Sequence, residues 1–415
     1  MSDVESLYRA ILASPADDTL RLVYADAVEE SGDEARAAFV REQVELARLP
    51  FYDAKRIEAR YFLSAAPDAE GLCSAPLPEG VRWAQNAFRR GLPGAVFADA
   101  EALLRGADEL FARYPIEALE LGVLRLLEAG SLAECEWLAR VRELNLTIGA
   151  GAQAVARLFD SPHFTALADL RVGSELSTPP ALAAMVRSRA FAGVTSLTVR
   201  NDRRAGGSIA GELARYSGPA RLEKLDASGN RLDADALEPL LAAPALARVA
   251  ELNLSNNALD EPGARVLSAA ELPHLRALSL NFARPVDAEV GTAALVRARY
   301  LPTLRALALN FSYVTANCAE ALAQAPLGEL RSLKLFGNRV GDRGAEALAR
   351  SAALGGLLEL DLSDSRVGDA GALALAESPH LGGLLFLNLL GDPLGPRAAG
   401  ALRDRFGARA RFKAE

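Results

Sequence analysis

Between residues 116 and 389 the chain repeats one six-residue frame eleven times, L-x-x-L-x-L, with Val, Ile or Ala at some leucine positions. Its central members are Leu119, Leu144, Leu170, Leu197, Leu225, Leu252, Leu278, Leu307, Leu333, Leu360 and Leu387, spaced 25, 26, 27, 28, 27, 26, 29, 26, 27 and 27 residues apart. All 33 frame positions are apolar in a chain whose apolar fraction is 50%. Chance would produce that on the order of once in ten billion trials. A period of this length excludes a fold in which each segment has its own place in one core. It requires a stack of equivalent coils, each burying its leucines against the next.

The content of one coil follows from its pattern. Leu-x-Leu has period two, so each frame predicts a short strand with its leucines on one side. Asp202, Asn230, Asn257, Asn338 and Asp392 follow the strand, where a buried amide or carboxylate can satisfy the backbone groups of a turning chain. Segments such as GDRGAEALARSAAL, GDAGALALAESP and EPGARVLSAAEL then read as helices, with small residues that allow close approach to the strand layer.

These features resemble the leucine-rich repeats. The near-27-residue strand-plus-helix coil is most similar to the ribonuclease-inhibitor-like subclass, over roughly residues 116–412. The resemblance implies an α/β solenoid: a leucine-rich-repeat horseshoe with a concave parallel β-sheet and convex helices. Leu124, Gly149, Glu175, Ala283, Ser312 and Ser365 stand where that family usually has Asn.

A stack exposes its core at both ends unless it is capped. The Ala95-Val96-Phe97 step and the amphipathic helix after it read as a degenerate half-repeat closing the N-terminal end. PRAAGALRDRFGARARFKAE, with Phe406 and Phe412, reads as the C-terminal cap. Residues 1–50 carry no repeat and predict helices in SDVESLYRAILA, TLRLVYADAVEES and DEARAAFVREQVELARL, separated by Ser31-Gly32-Asp33. Arg21-Leu22-Val23-Tyr24-Ala25-Asp26, the turn at 29–33 and the Phe39/Gln43 helix resemble the bacterial repeat-companion domain. The expected organisation is a small helical domain at 1–50, a connector and cap at 51–115, and eleven repeats with a C-terminal cap at 116–415.

Chemistry is harder to find. Net charge is 46 basic minus 54 acidic, or −8, which argues against coating nucleic acid or an anionic membrane. Cys73, Cys135 and Cys318 are too few and too scattered for a disulfide framework or a metal cluster. With acidic residues where a signal peptide would be basic, they point to a reducing cytoplasm. Gly149-x-Gly151-x-x-Ala154 imitates a dinucleotide fingerprint, but strand, small turn and helix describe every coil. His163 and His380 share one repeat position and read as turn residues. The sequence supports no catalytic residue, metal or cofactor, so the chain is read as a non-enzyme.

The exposed face of the sheet remains. Arg276, Arg305 and Arg331 share one repeat position, Lys334 lies beside them, and Phe282, Phe311, Phe336, Phe386 and Leu390 fall at or near exposed positions of the same coils. Clustered arginine and aromatic side chains are the material of binding hot spots. These nine residues are the candidate partner-binding set, and the expected function is a protein-protein interaction scaffold engaging a protein partner on the concave face. Two alternatives are regulation of a small GTPase, suggested by the GTPase-activating members of the resembled subclass, and a self-associating spacer. The Arg200, Arg203, Arg204, Gly206, Gly207 loop is a weaker candidate.

Overall fold

In a computed structural model that describes residues 3–62, 76–146, 151–173, 178–200, 208–257, 259–282 and 288–414, all 33 frame positions are buried. The chain divides into two compact units. Unit one comprises residues 1–50 and 64–199, and unit two residues 51–63 and 200–415.

Unit one carries the strands β1 (Val81–Trp83), β2 (Phe88–Arg89), β3 (Leu92–Pro93), β4 (Ala95–Ala98), β5 (Ala118–Leu121), β6 (Glu143–Leu146), β7 (Asp169–Val172) and β8 (Ser196–Val199). Strands β4 to β8 are parallel, and the register sets Leu119, Leu144, Leu170 and Leu197 side by side. The half-repeat reading of residues 95–97 gains a strand, since β4 extends the parallel sheet and β1 closes its edge antiparallel. Helices α5 (Ala100–Arg113), α6 (Leu126–Ala133), α7 (Ala152–Phe159) and α8 (Pro179–Arg187) return the chain between strands.

Unit two repeats the plan in β9 (Lys224–Asp226), β10 (Glu251–Asn253), β11 (Ala277–Ser279), β12 (Ala306–Ala308), β13 (Ser332–Lys334), β14 (Glu359–Asp361), β15 (Phe386–Leu394) and β16 (Ala410–Ala414). All pair in parallel with their neighbours, and Leu225, Leu252, Leu278, Leu307, Leu333, Leu360 and Leu387 form one continuous row. The helices are α9 (Ser208–Arg215), α10 (Ala234–Leu241), α11 (Glu261–Ala269), α12 (Ala288–Leu295), α13 (Ala316–Gln324), α14 (Gly341–Arg350), α15 (Asp369–Ala376) and α16 (Pro396–Phe406). Their small residues set helix-to-helix spacing. A Cβ on Gly344 would lie 3.0 Å from that of Ala319, and one on Gly371 3.0 Å from that of Ala345. Strand β16 was not expected: Phe412 sits in it partly exposed, and of the two phenylalanines Phe406 is the buried one.

The turn residues act as anticipated. Asn257 accepts from the amides of Asn230 and Leu232 through Oδ1 and donates to the carbonyls of Ala227 and Leu254 through Nδ2. Asn338 repeats this with Ser312, Val314, Leu309 and Leu335. Where Ser312 and Ser365 replace Asn, the hydroxyl donates one coil back, to Leu280 and Leu335. Gly149, Glu175, Ala283 and Asp202 lie outside the described residues. A second serine row joins the helix ends: Ser161 donates to the carbonyl of Ala133 and Ser378 to that of Ala349. The same hydroxyls accept from the His163 and His380 amides, which accounts for the shared Ser-Pro-His position.

The N-terminal helices are α1 (Asp3–Ala13), α2 (Asp18–Glu30) and α3 (Glu34–Arg48), with a core of Ile11, Tyr24, Val28, Val40 and Val44. Arg21 of α2 is completely buried. Its guanidinium donates to the Pro15 and Arg89 carbonyls and, at 3.1 Å, to Glu117. Burial pulls its pKa down to about 10, against the charge of Glu117, which favours the cation.

Candidate binding surface

Residues 51–62, placed by the sequence in the connector and cap at 51–115, include a helix, α4 (Ala54–Phe62), that belongs to unit two. It contacts β15. One register row whose side chains point away from the leucine core starts with the more exposed Lys224 and Glu251 and ends, toward the strand that α4 contacts, with Ala277, Ala306, Ser332, Glu359 and Phe386. The last five are at most 5% exposed. The corresponding row of unit one begins with the buried Ala95 and Ala118 and continues through Glu143, Asp169 and Ser196, all partly exposed.

The contacts at the end of α4 are specific. The Tyr61 ring stacks on Phe386 with centroids 3.6 Å apart and planes 5° from parallel. Arg411 of β16 reaches both rings, 5.6 Å from Tyr61 and 5.1 Å from Phe386. The Tyr61 hydroxyl donates to Glu359, and Arg60 Nη1 lies 3.2 Å from Glu359 Oε1. Glu359 also accepts from Ser332 at 2.6 Å and pairs with Lys334 at 2.9 Å. Burial opposes its ionisation, but the Lys334 charge and bonds from Ser332, Tyr61 and Lys334 prevail and lower its pKa. The Tyr61 hydroxyl is pushed up, first by burial and then by its bond to Glu359. Ile57, one turn before Tyr61, is fully buried. At the other end Tyr52 is within the electrostatic reach of Glu251, Arg276 and Arg305.

The candidate set therefore divides. Phe386 lies against Tyr61 of α4 and is 2% exposed, while Lys334 is committed to Glu359 with a quarter of its side chain still exposed. Arg276, Arg305 and Arg331 do share a row, but their guanidinium groups turn to coil carbonyls: Leu275 at 3.0 Å, Glu329 at 3.2 Å and Gly356 at 2.7 Å, respectively. Arg305 also pairs with the Glu329 carboxylate. Like charges one strand apart are thus held by fixed dipoles. Leu390 is exposed by itself on β15. Arg200 pairs with Asp226, while Arg203, Arg204, Gly206 and Gly207 lie outside the described residues.

Phe282, Phe311 and Phe336 form a ladder. Phe282 stacks on Phe311 at 4.7 Å, and Phe311 meets Phe336 edge-on at 4.5 Å. Phe282 is 45% exposed, Phe311 36% and nearby Tyr313 46%. Two positions after the last frame residue, each coil of unit two turns through the left-handed region, at Gly229, Asn256, Phe282, Phe311, Gly337, Asp364 and Gly391. Gly, Asn and Asp tolerate that conformation; a phenylalanine pays about 1 kcal/mol for it. The ring of Phe311 lies over Gly337, whose missing Cβ would approach it to 2.4 Å.

Residues 330–349 and 357–376 match the family model described as Leucine Rich repeat. The same coil geometry recurs through both units. Two coils of this α/β solenoid thus match the leucine-rich-repeat model directly. No curated protein matches its sequence. Solved structures similar to it include an internalin from Listeria monocytogenes, 15% identical over 70% of this chain and 84% of that one, with a TM-score of 0.38. A Bacteroides fragilis protein is 12% identical over 74% and 76%, with a TM-score of 0.39. The structure of yeast Rad7 in complex with Elc1 gives 14% identity over 88% and 89%, with a TM-score of 0.49. No described helix is long and apolar enough to cross a membrane.

Sequence reasoning missed Arg60 and Tyr61. A signal was available: Phe51, Tyr52, Tyr61 and Phe62 place four aromatics within twelve residues of a chain that is only 6% aromatic.

Proposed function

We propose that this leucine-rich-repeat chain is a non-enzymatic protein-protein interaction scaffold, binding a protein partner through the concave strands β11 to β15 and the aromatic ladder beside them. The observation that carries this reading is the ladder itself. Phenylalanine occupies a left-handed position in two adjacent coils where five sibling coils use Gly, Asn or Asp, and both rings remain substantially exposed. A purely structural position would favour the unstrained residues. Local strain combined with exposed aromatic area is characteristic of a contact surface. The coil period fits the ribonuclease-inhibitor-like subclass, residues 1–50 fit a repeat-companion domain, and the paucity of cysteine fits a reducing cytoplasm.

The test exchanges the rings for sibling residues, Phe282→Asn with Phe311→Gly. Thermal stability should hold or rise, while recovery of co-purifying partner from native lysate falls at least tenfold. Unchanged recovery, or a marked loss of stability, would overturn the assignment.

A further inference from the structure

We infer that the surface formed by Ser332, Lys334, Glu359 and Phe386 is a binding site for a helix bearing an adjacent Arg–Tyr pair, and that α4 is its built-in, displaceable occupant. This deepens the proposed function and rests on it for the partner. The chemistry of the site defines the ligand. Phe386 offers a flat ring for stacking, and Glu359 offers a buried carboxylate that requires donors. Tyr61 supplies the ring and a hydroxyl, and Arg60 supplies the cation. Two features make the occupant removable. Glu359 keeps Ser332 and Lys334 from its own sheet when α4 leaves, so departure does not strand an unpaired buried charge. Arg60 is still one-third exposed while bound, at 33% of its side-chain surface. A partner helix with the same pair, extended over the Phe282–Phe311 ladder, would gain contact area beyond the Arg–Tyr site and so displace α4.

The probe is a labelled peptide of residues 51–63, measured by fluorescence anisotropy against the full chain. A tethered helix acts at an effective concentration on the order of millimolar, so micromolar peptide should bind the wild type poorly. Arg60→Ala with Tyr61→Ala in the full chain should empty the site and tighten peptide binding at least tenfold. Adding Phe386→Ala should abolish that gain. Equal binding by wild type and double variant, or none by either, overturns the inference. Should the double variant fail to fold, hydrogen exchange on the wild type decides. The amides of α4 should exchange faster than those of β13 and β14, and faster still with excess peptide. Protection of α4 equal to that of the strands, unmoved by peptide, overturns it as well. Because the peptide assay makes no use of the ladder, partner loss on changing Phe282 and Phe311 without peptide binding would sink this site and leave the scaffold reading intact.

Discussion

Each unit contains a buried carboxylate met by an arginine from the first 62 residues, and the two meetings differ in kind. In unit one, Glu117 receives Arg21, which is wholly buried and spends its remaining donors on the Pro15 and Arg89 carbonyls, and Glu117 is paired as well with Arg90, which also reaches the Pro15 carbonyl. In unit two, Glu359 receives Arg60, which is partly exposed, while Lys334 and Ser332 of the sheet already neutralise and bond it. Removing Arg21 empties a wholly buried position and takes a donor from the Arg89 and Pro15 carbonyls and from Glu117, which keeps its pairing with Arg90. Removing Arg60 takes its bonds from Glu359 and the Phe51 carbonyl, but Lys334, Ser332 and Tyr61 still satisfy Glu359. The first is a permanent clasp between α2 and the coils, and the second has the energetics of a reversible dock.

The largest effect that would sharpen this contrast is on Arg21. Arg21→Ala should lower the stability of the chain by about 3 kcal/mol in urea denaturation, the low end of the range for breaking a buried pair because Arg90 still pairs with Glu117. A loss below about 1 kcal/mol would remove the distinction. A smaller effect attaches to Glu359, whose folded pKa lies below its ordinary value of 4.5. A depressed carboxyl stabilises the fold fully above its unfolded pKa, and that contribution disappears as pH falls through the folded pKa. Stability should therefore decline below about pH 4.5. Glu359→Gln should flatten that acid limb at a cost of about 1–2 kcal/mol near neutrality; an unaltered acid limb contradicts the assignment. Smallest is Arg60→Ala, expected to cost under about 1 kcal/mol because its charge is partly solvated. A cost equal to that of Arg21→Ala would make the two contacts alike.

Much of the solenoid was legible because its information is periodic. Each frame leucine performs the same task, so Leu252 beside Leu278 follows from counting, and the structure pairs them directly. The turn asparagines were readable for the same reason. What lay beyond the sequence was aperiodic. The helix at 54–62 is short and carries no repeat, and its destination depends on a contact nearly 300 residues away, Tyr61 to Glu359. Phe386 occupies a sheet-facing position that is open by pattern and closed by that contact. Phe311 could be found as an exposed aromatic, but its left-handed backbone became evident only beside Gly337 and Asp364.

The most direct test of the account compares two serines at one frame position. Ser196 in unit one is partly exposed, and Ser332 in unit two is 1% exposed. In chains whose native cysteines are changed to serine, Ser196→Cys and Ser332→Cys are labelled with a maleimide under native conditions. The account predicts labelling at Ser332→Cys at least tenfold slower, recovering when Tyr61→Ala is added. Equal rates at the two positions would mean that α4 does not cover the inner face of unit two.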